Sequence, residues 1–322
     1  MKEVLCLLLA LYAFSFSEDT AKADDQFPVT ITHALGSTTI ASKPRRIVTL
    51  GWSGEDVVIA LGMIPVGMTE YGFLSSGIFP WNEERLSDNK PQLLDGEINY
   101  EAIVALHPDL ILAVFSGVDD VAWKRLSAIA PTVVYRSGPW RADWKEQAEI
   151  IGLSLGKSME ARQLMLNSEK FIRSLGSANP ELQGKTFVFA TYFAGSSNLV
   201  VYLPSDPRVE ALMTLGLKVP SGIRALADAN PAKISVNVSL EDIEQIDADI
   251  LLMWFGDGAK DAFEHQPLFQ TIRAVRGGSY VALDDPVSVW STSALSVLSI
   301  PYGFPKFVPR LVVAARKVEQ HP

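Results

Sequence analysis

Cysteine is almost missing from this chain. Of 322 residues only Cys6 carries a thiol, and it lies in the apolar segment at the amino terminus. Past that segment there is no disulfide framework and no thiolate chemistry. Histidine is nearly as scarce, with four copies, His33, His107, His265 and His321. None stands beside an acidic partner in a motif, which argues against a serine hydrolase and against a bare metal site built from several imidazoles. Positive charge is short as well. Lys and Arg number 28 against 37 Asp and Glu, a formal charge of −9 and the wrong sign for a nucleic-acid partner. Long apolar runs are also missing. The segment Val4–Phe16 follows the single Lys2 and is too short for the roughly 20 residues that cross a bilayer, but it suits a signal-peptide core. Ala21-Lys22-Ala23 then offers an A-x-A cleavage site, so residues 1–23 are expected to be an export signal removed near Ala23, the alternative being a retained N-terminal membrane anchor. Cys6 sits too early, without the usual preceding run, to be a lipid attachment site.

What the chain does have, it has twice. Residues 99–115 and 239–255 follow one plan, 140 positions apart. A small capping residue (Asn99, Ser239) precedes Glu101 or Glu241. An apolar helical stripe follows, Ile103 and Leu106 or Ile243 and Ile246. Next come Asp109 or Asp249 and an apolar run ending in Phe115 or Phe255. A capping side chain accepts orphan N–H groups, and an acid in the first turn suits the helix dipole. The run after the Asp is too short for a helix and reads as a buried parallel strand. Two copies flanking the midpoint predict two similar α/β lobes.

Alternating strand and helix patterns surround both copies. A hairpin is expected over 29–40, strands at 44–50, 64–68 and 132–135, and helices at 57–61 and 121–130. Residues 72–98 read as a Gly/Pro/aromatic loop. The stretch from Trp144 to Leu175 is helical throughout, and 157–178 is expected to be one long helix joining an N-terminal lobe (24–156) to a C-terminal lobe (179–322). The second lobe reads as a strand at 186–192, a helix at 208–215, the repeat and a strand at 280–283. Pro301, Pro305 and Pro309 should break or kink the closing helical region 293–313. The fold class is α/β, with two Rossmann-like lobes of parallel-rich sheet on a single helix, which should resist wide closure.

Several segments resemble the ferric-siderophore and cobalamin type of periplasmic binding protein, the class III substrate-binding proteins of ABC transporters. They are Pro44-x-Arg46-Ile47-Val48, Ala60-Leu61-Gly62-x-x-Pro65-Val66-Gly67, Glu101-x-Ile103-x-x-Leu106-x-Pro108-Asp109, Ile129-Ala130-Pro131-Thr132-Val133 and Ile151-Gly152-x-x-Leu155-Gly156-Lys157. Pro267-Leu268-Phe269 and Arg276-Gly277-Gly278-x-Tyr280 continue it. The resemblance implies a non-catalytic protein with a shallow inter-lobe cleft, which hands an iron chelate to a permease driven by ATP hydrolysis. It also implies that Glu101 and Glu241 meet permease arginines from the outer lobe tips, away from the ligand. As a plain reading, each is simply a favourable first-turn acid.

Ligands of open α/β sheets bind outside the carboxyl ends of the strands. Those ends carry Trp52, Tyr71, Phe115, Tyr135, Arg136 and Trp140 in the first lobe and Tyr192, Trp254, Asp285 and Trp290 in the second, with Arg224 in a loop. Aromatics offer apolar area with a polar tip and Arg recognises oxygen-rich anions, a mixture that suits a bulky, oxygen-coated chelate. For any one aromatic, core packing is the plainer account. The ligand expected is a ferric siderophore of hydroxamate or mixed type. Iron would be held inside the chelate, with no cofactor and no metal ligand of the protein's own. The chain is expected to be a periplasmic monomer. Haem and cobalamin stay open as ligands. Gly51-Trp52-Ser53-Gly54 imitates a nucleophile elbow at Ser53, but that motif needs glycine where Glu55 stands.

Overall fold

The computed structural model describes residues 26–320 apart from position 257. The expected export signal lies outside the described residues. Strands β1 (Val29–His33) and β2 (Gly36–Ile40) form the antiparallel hairpin. They dock on the first lobe, where Ala34 N donates to Tyr135 O at 2.9 Å and Thr38 Oγ1 to Thr132 O at 2.6 Å. The first sheet is wholly parallel, in order β5-β4-β3-β6-β7. It comprises β3 (Ile47–Thr49), β4 (Gly67–Thr69), β5 (Gln92–Leu94), β6 (Leu110–Ala113) and β7 (Thr132–Val134). The second has the order β10-β9-β8-β11-β12. It comprises β8 (Phe187–Tyr192), β9 (Asn198–Tyr202), β10 (Ser235–Ser239), β11 (Ile250–Trp254) and β12 (Tyr280–Leu283). Here β8, β11 and β12 are parallel, and β9 runs against both of its neighbours.

The 140-residue offset extends into the register. Ile47 pairs with Leu110 in one sheet, and Phe187 with Ile250 in the other. The repeated Asp has one task in both. Asp109 accepts from the backbone N–H of Arg45 and Arg46, each at 2.8 Å, at the entry to β3. Asp249 accepts from Thr186 N and Thr186 Oγ1, each at 2.8 Å, at the entry to β8. Each carboxylate satisfies donors of the chain as it enters the sheet, so the acid between helix and strand is a brace. The copies differ in their helices. Tyr100–Ala105 is α-helical with Asn99 accepting from Ala102 N, whereas Leu240–Ile246 is a 3-10 turn with Asp242 out of helical geometry. The expectation of a second α-helix is corrected. Asp and β-branched Ile favour helix weakly, and helix Ser221–Ala229 packs on this turn so tightly that a Cβ on Gly222 would stand 1.8 Å from Gln245 O.

Three further expectations are corrected. The presumed loop 72–98 contains helix Pro80–Leu86 and strand β5. Pro at the first helical position needs no N–H there, and Trp81, Asn82 and Leu86 are buried. Strands β9 and β10 went unread, although Leu199-Val200-Val201-Tyr202 after Gly195-Ser196-Ser197 is a hairpin signal. The closing region is helix Pro286–Ser293, then helix Ser299–Gln320, which runs unbroken through Pro305 and Pro309. Pro301, Pro305 and Pro309 are four apart and exposed, so the carbonyls they deprive of donors face water. The opposite face, with Ile300, Phe304, Phe307, Val308 and Leu311, is buried.

Helix Ser158–Ala178 runs between the lobes and is seated by a glycine at each end. A Cβ on Gly152, in first-lobe helix Trp144–Ser154, would stand 2.3 Å from Ala161 Cβ of the long helix. A Cβ on Gly176, in the long helix, would stand 2.3 Å from Leu215 O of the second lobe. A clash with backbone cannot be relieved by a side-chain rotation, and it outweighs the ~1 kcal/mol that alanine gains over glycine in a helix.

Candidate functional site

Strands β3, β6 and β7 lie side by side, so the loops that leave their carboxyl ends converge. Trp52 N donates to Phe115 O at 2.9 Å, and Trp140 N donates to Ser116 O at 3.0 Å. Two glycines permit this approach. Gly51, at φ 87°, would place a Cβ 2.2 Å from Phe115 O, and Gly117 would place one 2.6 Å from Trp140 Nε1. Trp140 itself takes the left-handed conformation, φ 55°, a strain of roughly 1–3 kcal/mol that the surrounding contacts must offset. The result is an aromatic wall. The Trp52 ring lies 5.0 Å from Trp140, 6.0 Å from Phe115 and 4.4 Å from Trp290, and Phe73 stacks on Trp290 at 4.9 Å. Trp52, Phe73 and Trp140 are 38, 45 and 46% exposed, unusual for rings of this size.

Beneath the wall lies a buried polar floor. Tyr71 OH donates to Glu55 Oε1 at 2.7 Å and accepts from Ser53 N at 3.1 Å. Asp56 accepts from Trp81 Nε1 at 2.8 Å, from Asn82 Nδ2 at 2.6 Å and from Ser296 Oγ. Ser296 belongs to the link between the two C-terminal helices, which cross back from the second sheet to the first lobe. Trp290 and Tyr302, on those helices, touch Phe73 and Trp81 respectively.

Between the lobes opens a cavity of about 290 Å³. Phe115, Trp140 and Arg141 line it from the first lobe, and Asp206, Arg208 and Lys233 from the second. Ser293 Oγ, at its edge, is buried without a hydrogen-bond partner among the described residues. Arg208 is fixed in place. It donates from Nε and NH2 to the two oxygens of Asp206 at 2.8 and 2.6 Å, and its guanidinium lies 3.8 Å from the Tyr202 ring centroid. A second cavity, of about 270 Å³, lies at the amino ends of β8 and β11 beside Val188 and Leu251.

Of the residues expected from sequence, Trp52, Phe115, Trp140 and Trp290 come together here. Others do not. Tyr71 is buried and spends its hydroxyl on Glu55 and Ser53, so it supports the wall from behind. Tyr135 is a core residue whose hydroxyl donates to Val118 O at 2.6 Å. Tyr192 is buried against Phe263 and accepts from Gln266 Nε2. Arg136 pairs with Glu149 and lies by the β1 hairpin and Leu153, away from the cleft cavity. Arg141, five residues on, is the arginine in the cavity. Arg224 is exposed on helix Ser221–Ala229 and does not line the cavity. Trp254 is half-buried, donates to Tyr202 OH at 3.1 Å and so braces the ring under Arg208. Asp285 caps helix Pro286–Ser293 by accepting from Ser288 N. Sequence reasoning missed Phe73, Arg141, Arg208 and Lys233. The second-lobe wall leaves the end of β9 and enters β10, an antiparallel pair, so a rule about parallel strand ends does not find it. Glu101 and Glu241 are exposed in the first turns after β5 and β10, the edge strands of their sheets. They therefore stand on the same rim as the strand ends. Glu241 follows the carboxyl end of β10, whereas Lys233, in the cleft cavity, precedes its amino end.

Ser53 is fully buried and its Oγ faces Gln147 Oε1 at 3.4 Å rather than a histidine. With an aromatic and cationic cleft between two α/β lobes, this defines a two-lobed solute-binding protein. The chain belongs to the periplasmic binding protein family, whose model matches residues 47–287. It is 27% identical over 301 residues to the probable siderophore-binding lipoprotein YfiY of Bacillus subtilis strain 168, covering 90% of each chain. It is 26% identical over 280 residues to the ferric enterobactin-binding periplasmic protein FepB of Escherichia coli O6:H1, covering 80% of this chain and 84% of that one. Among solved structures, Streptococcus pneumoniae TIGR4 PiaA in complex with ferrichrome superposes with a TM-score of 0.80 at 30% identity, covering 90% of this chain and 99% of that one. No helix among the described residues is long and apolar enough to cross a membrane.

Both carboxyls of the floor are shifted upward. Burial, together with the neighbouring Asp56 charge, pushes the Glu55 carboxyl up to about 8. Burial raises Asp56 to about 6 against the opposing hydrogen bonds from Ser296, Asn82 and Trp81. Both folded values exceed the ordinary carboxylate range of roughly 4, so at intermediate pH the folded chain holds protons that the unfolded chain has lost. Stability from this pair is therefore present at low pH and is lost as pH rises through about 6 and then about 8. Thermal melts between pH 5.5 and 8.5 should show Tm falling, and Glu55→Gln should flatten the upper half of that fall. A wild-type Tm that rises across this range would contradict the assignment.

Proposed function

We propose that this chain captures a ferric siderophore in the cleft between its lobes and delivers it to a dimeric ABC permease in the inner membrane. The observation that carries the reading is the cavity walled by Phe115 and Trp140 and reached by Arg141, Arg208 and Lys233. Aromatic faces bury the apolar skeleton of such a ligand, and the cations meet the oxygens that coat its iron centre. Named relatives support it, being described as siderophore-binding and ferric enterobactin-binding. The iron arrives within the chelate, and the protein supplies a surface for it. Hydroxamate or mixed hydroxamate–carboxylate chelates fit best, because the cleft pairs its aromatics with a few cations and two of its own carboxylates, Asp143 and Asp206. The protein acts as an exported monomer, with the signal cleaved near Ala23, and turns nothing over chemically. Glu101 and Glu241, one on the outer edge of each lobe, dock on basic groups of the permease.

Tryptophan fluorescence titrated with a ferric trihydroxamate, ferric citrate, a ferric tris-catecholate, haem and cobalamin tests the ligand class. Saturable quenching by the trihydroxamate is expected, and Trp140→Ala should weaken it about five- to hundredfold, the usual range for a truncated hot-spot ring. Tight binding of haem or cobalamin alone would overturn the siderophore reading. For docking, the Glu101→Lys, Glu241→Lys double variant should lose iron-chelate uptake in cells lacking the native protein, while chelate affinity of the purified variant stays unchanged. Normal uptake by that variant would remove the docking role.

A further inference from the structure

Arg208 is the best-placed cation in the cleft, yet it is not free to act as a full one. Its Nε and NH2, the edge that grips a carboxylate with two parallel bonds, are both committed to Asp206. Asp206 is fully buried, and it also accepts from Arg208 N at 2.9 Å, so its carboxylate cannot turn away from the guanidinium without uncapping helix Pro207–Thr214. The guanidinium is held further by the rings of Tyr202, at 3.8 Å, and Phe189, at 5.7 Å. Opposite charges so close cancel beyond a few ångströms, so a ligand in the cavity meets hydrogen-bond donors with little net field. The rest of the charged lining sets one carboxylate against two cations. Arg141 and Lys233 are cationic, but Asp143 stands between the lobes as a further carboxylate.

We propose that Asp206, by neutralising Arg208 on the cleft wall, is the residue that sets the charge of the chelate accepted, admitting uncharged ferric chelates and excluding strongly anionic ones. This rests on the ferric-siderophore reading of the same cleft. Three hydroxamates, each a monoanion, leave Fe³⁺ neutral, and three catecholates, each a dianion, leave a charge of minus three. An unscreened Arg208 would attract the second kind and gain little with the first. Asp206 removes that attraction, which is selection by a built-in like charge rather than by a new contact.

The test compares dissociation constants for a neutral ferric trihydroxamate and an anionic ferric tris-catecholate at low ionic strength, in wild type, Asp206→Asn and Arg208→Gln. Asparagine keeps an oxygen to cap Arg208 N and removes the charge. In Asp206→Asn the affinity ratio should shift toward the tris-catecholate by about tenfold, and the shift should fade in high salt. Arg208→Gln leaves Asp206 uncompensated and should move the ratio the other way. An unchanged ratio in both variants, or equal loss for both chelates, would overturn the proposal. Should Asp206→Asn fail to fold, the direction seen in Arg208→Gln decides alone. Wild type that binds neither chelate would reject the siderophore reading itself, whereas wild type that binds both and prefers the anionic one would reject only the role of Asp206.

Discussion

A single buried carboxylate ties the two halves of the cleft together. Asp56 lies on the helix that follows β3, and it gathers Trp81, Asn82 and Ser296, residues from a second first-lobe helix and from the C-terminal crossing. A fully buried acid is costly unless its oxygens are met, and here each oxygen has at least one donor. The consequence reaches the cleft. Fixing Ser296 fixes the helices on either side of it, and so places Trp290 against Trp52 and Phe73, and Tyr302 against Trp81. The lobes are thus joined along two lines, the Ser158–Ala178 helix and the C-terminal crossing.

The binding wall is built on that frame by backbone geometry before any side-chain preference enters. Adjacent parallel strands bring three loops together, glycines at 51 and 117 let them touch, and the rings of Trp52, Phe115 and Trp140 have no remaining place but the cleft. On the facing side, Lys145 bridges Glu169 of the long helix and Glu210 of the second lobe at 3.0 and 2.8 Å. Such partly exposed pairs contribute little to stability, roughly 0–1 kcal/mol each. Their value here is to hold the spacing of elements that border the cavity.

How much of this was legible follows from the kind of signal each feature leaves. The duplication was, because a helix feeding a buried strand imposes a pattern that survives at a fixed offset, down to Ile47–Leu110 and Phe187–Ile250. Trp52, Phe115 and Trp140 were legible as strand-end aromatics. Tyr71, Tyr135 and Tyr192 carry the same signal, but their rings turn inward and their hydroxyls find internal partners. An aromatic at a strand end points to the core or to the cleft depending on one φ/ψ step, which composition does not encode. Arg208 was missed because it follows β9, an antiparallel strand, and Arg141 because Arg136, nearer the end of β7 in the same loop, carries the same signal. Pro305 and Pro309 misled because only their common exposed face, invisible to a residue-by-residue rule, makes them tolerable in a helix.

The central claim is that the cleft is preformed, because two connections hold the lobes at one spacing with or without ligand. Spin labels at Val121→Cys in the first lobe and Arg224→Cys in the second, both exposed positions, measure that spacing directly by pulsed electron resonance. The distance distributions of free protein and protein saturated with a ferric trihydroxamate should agree to within about 3 Å. A shortening on the order of 10 Å on loading, as in hinged binding proteins, would contradict a preformed cleft and the role given to Asp56 in holding it.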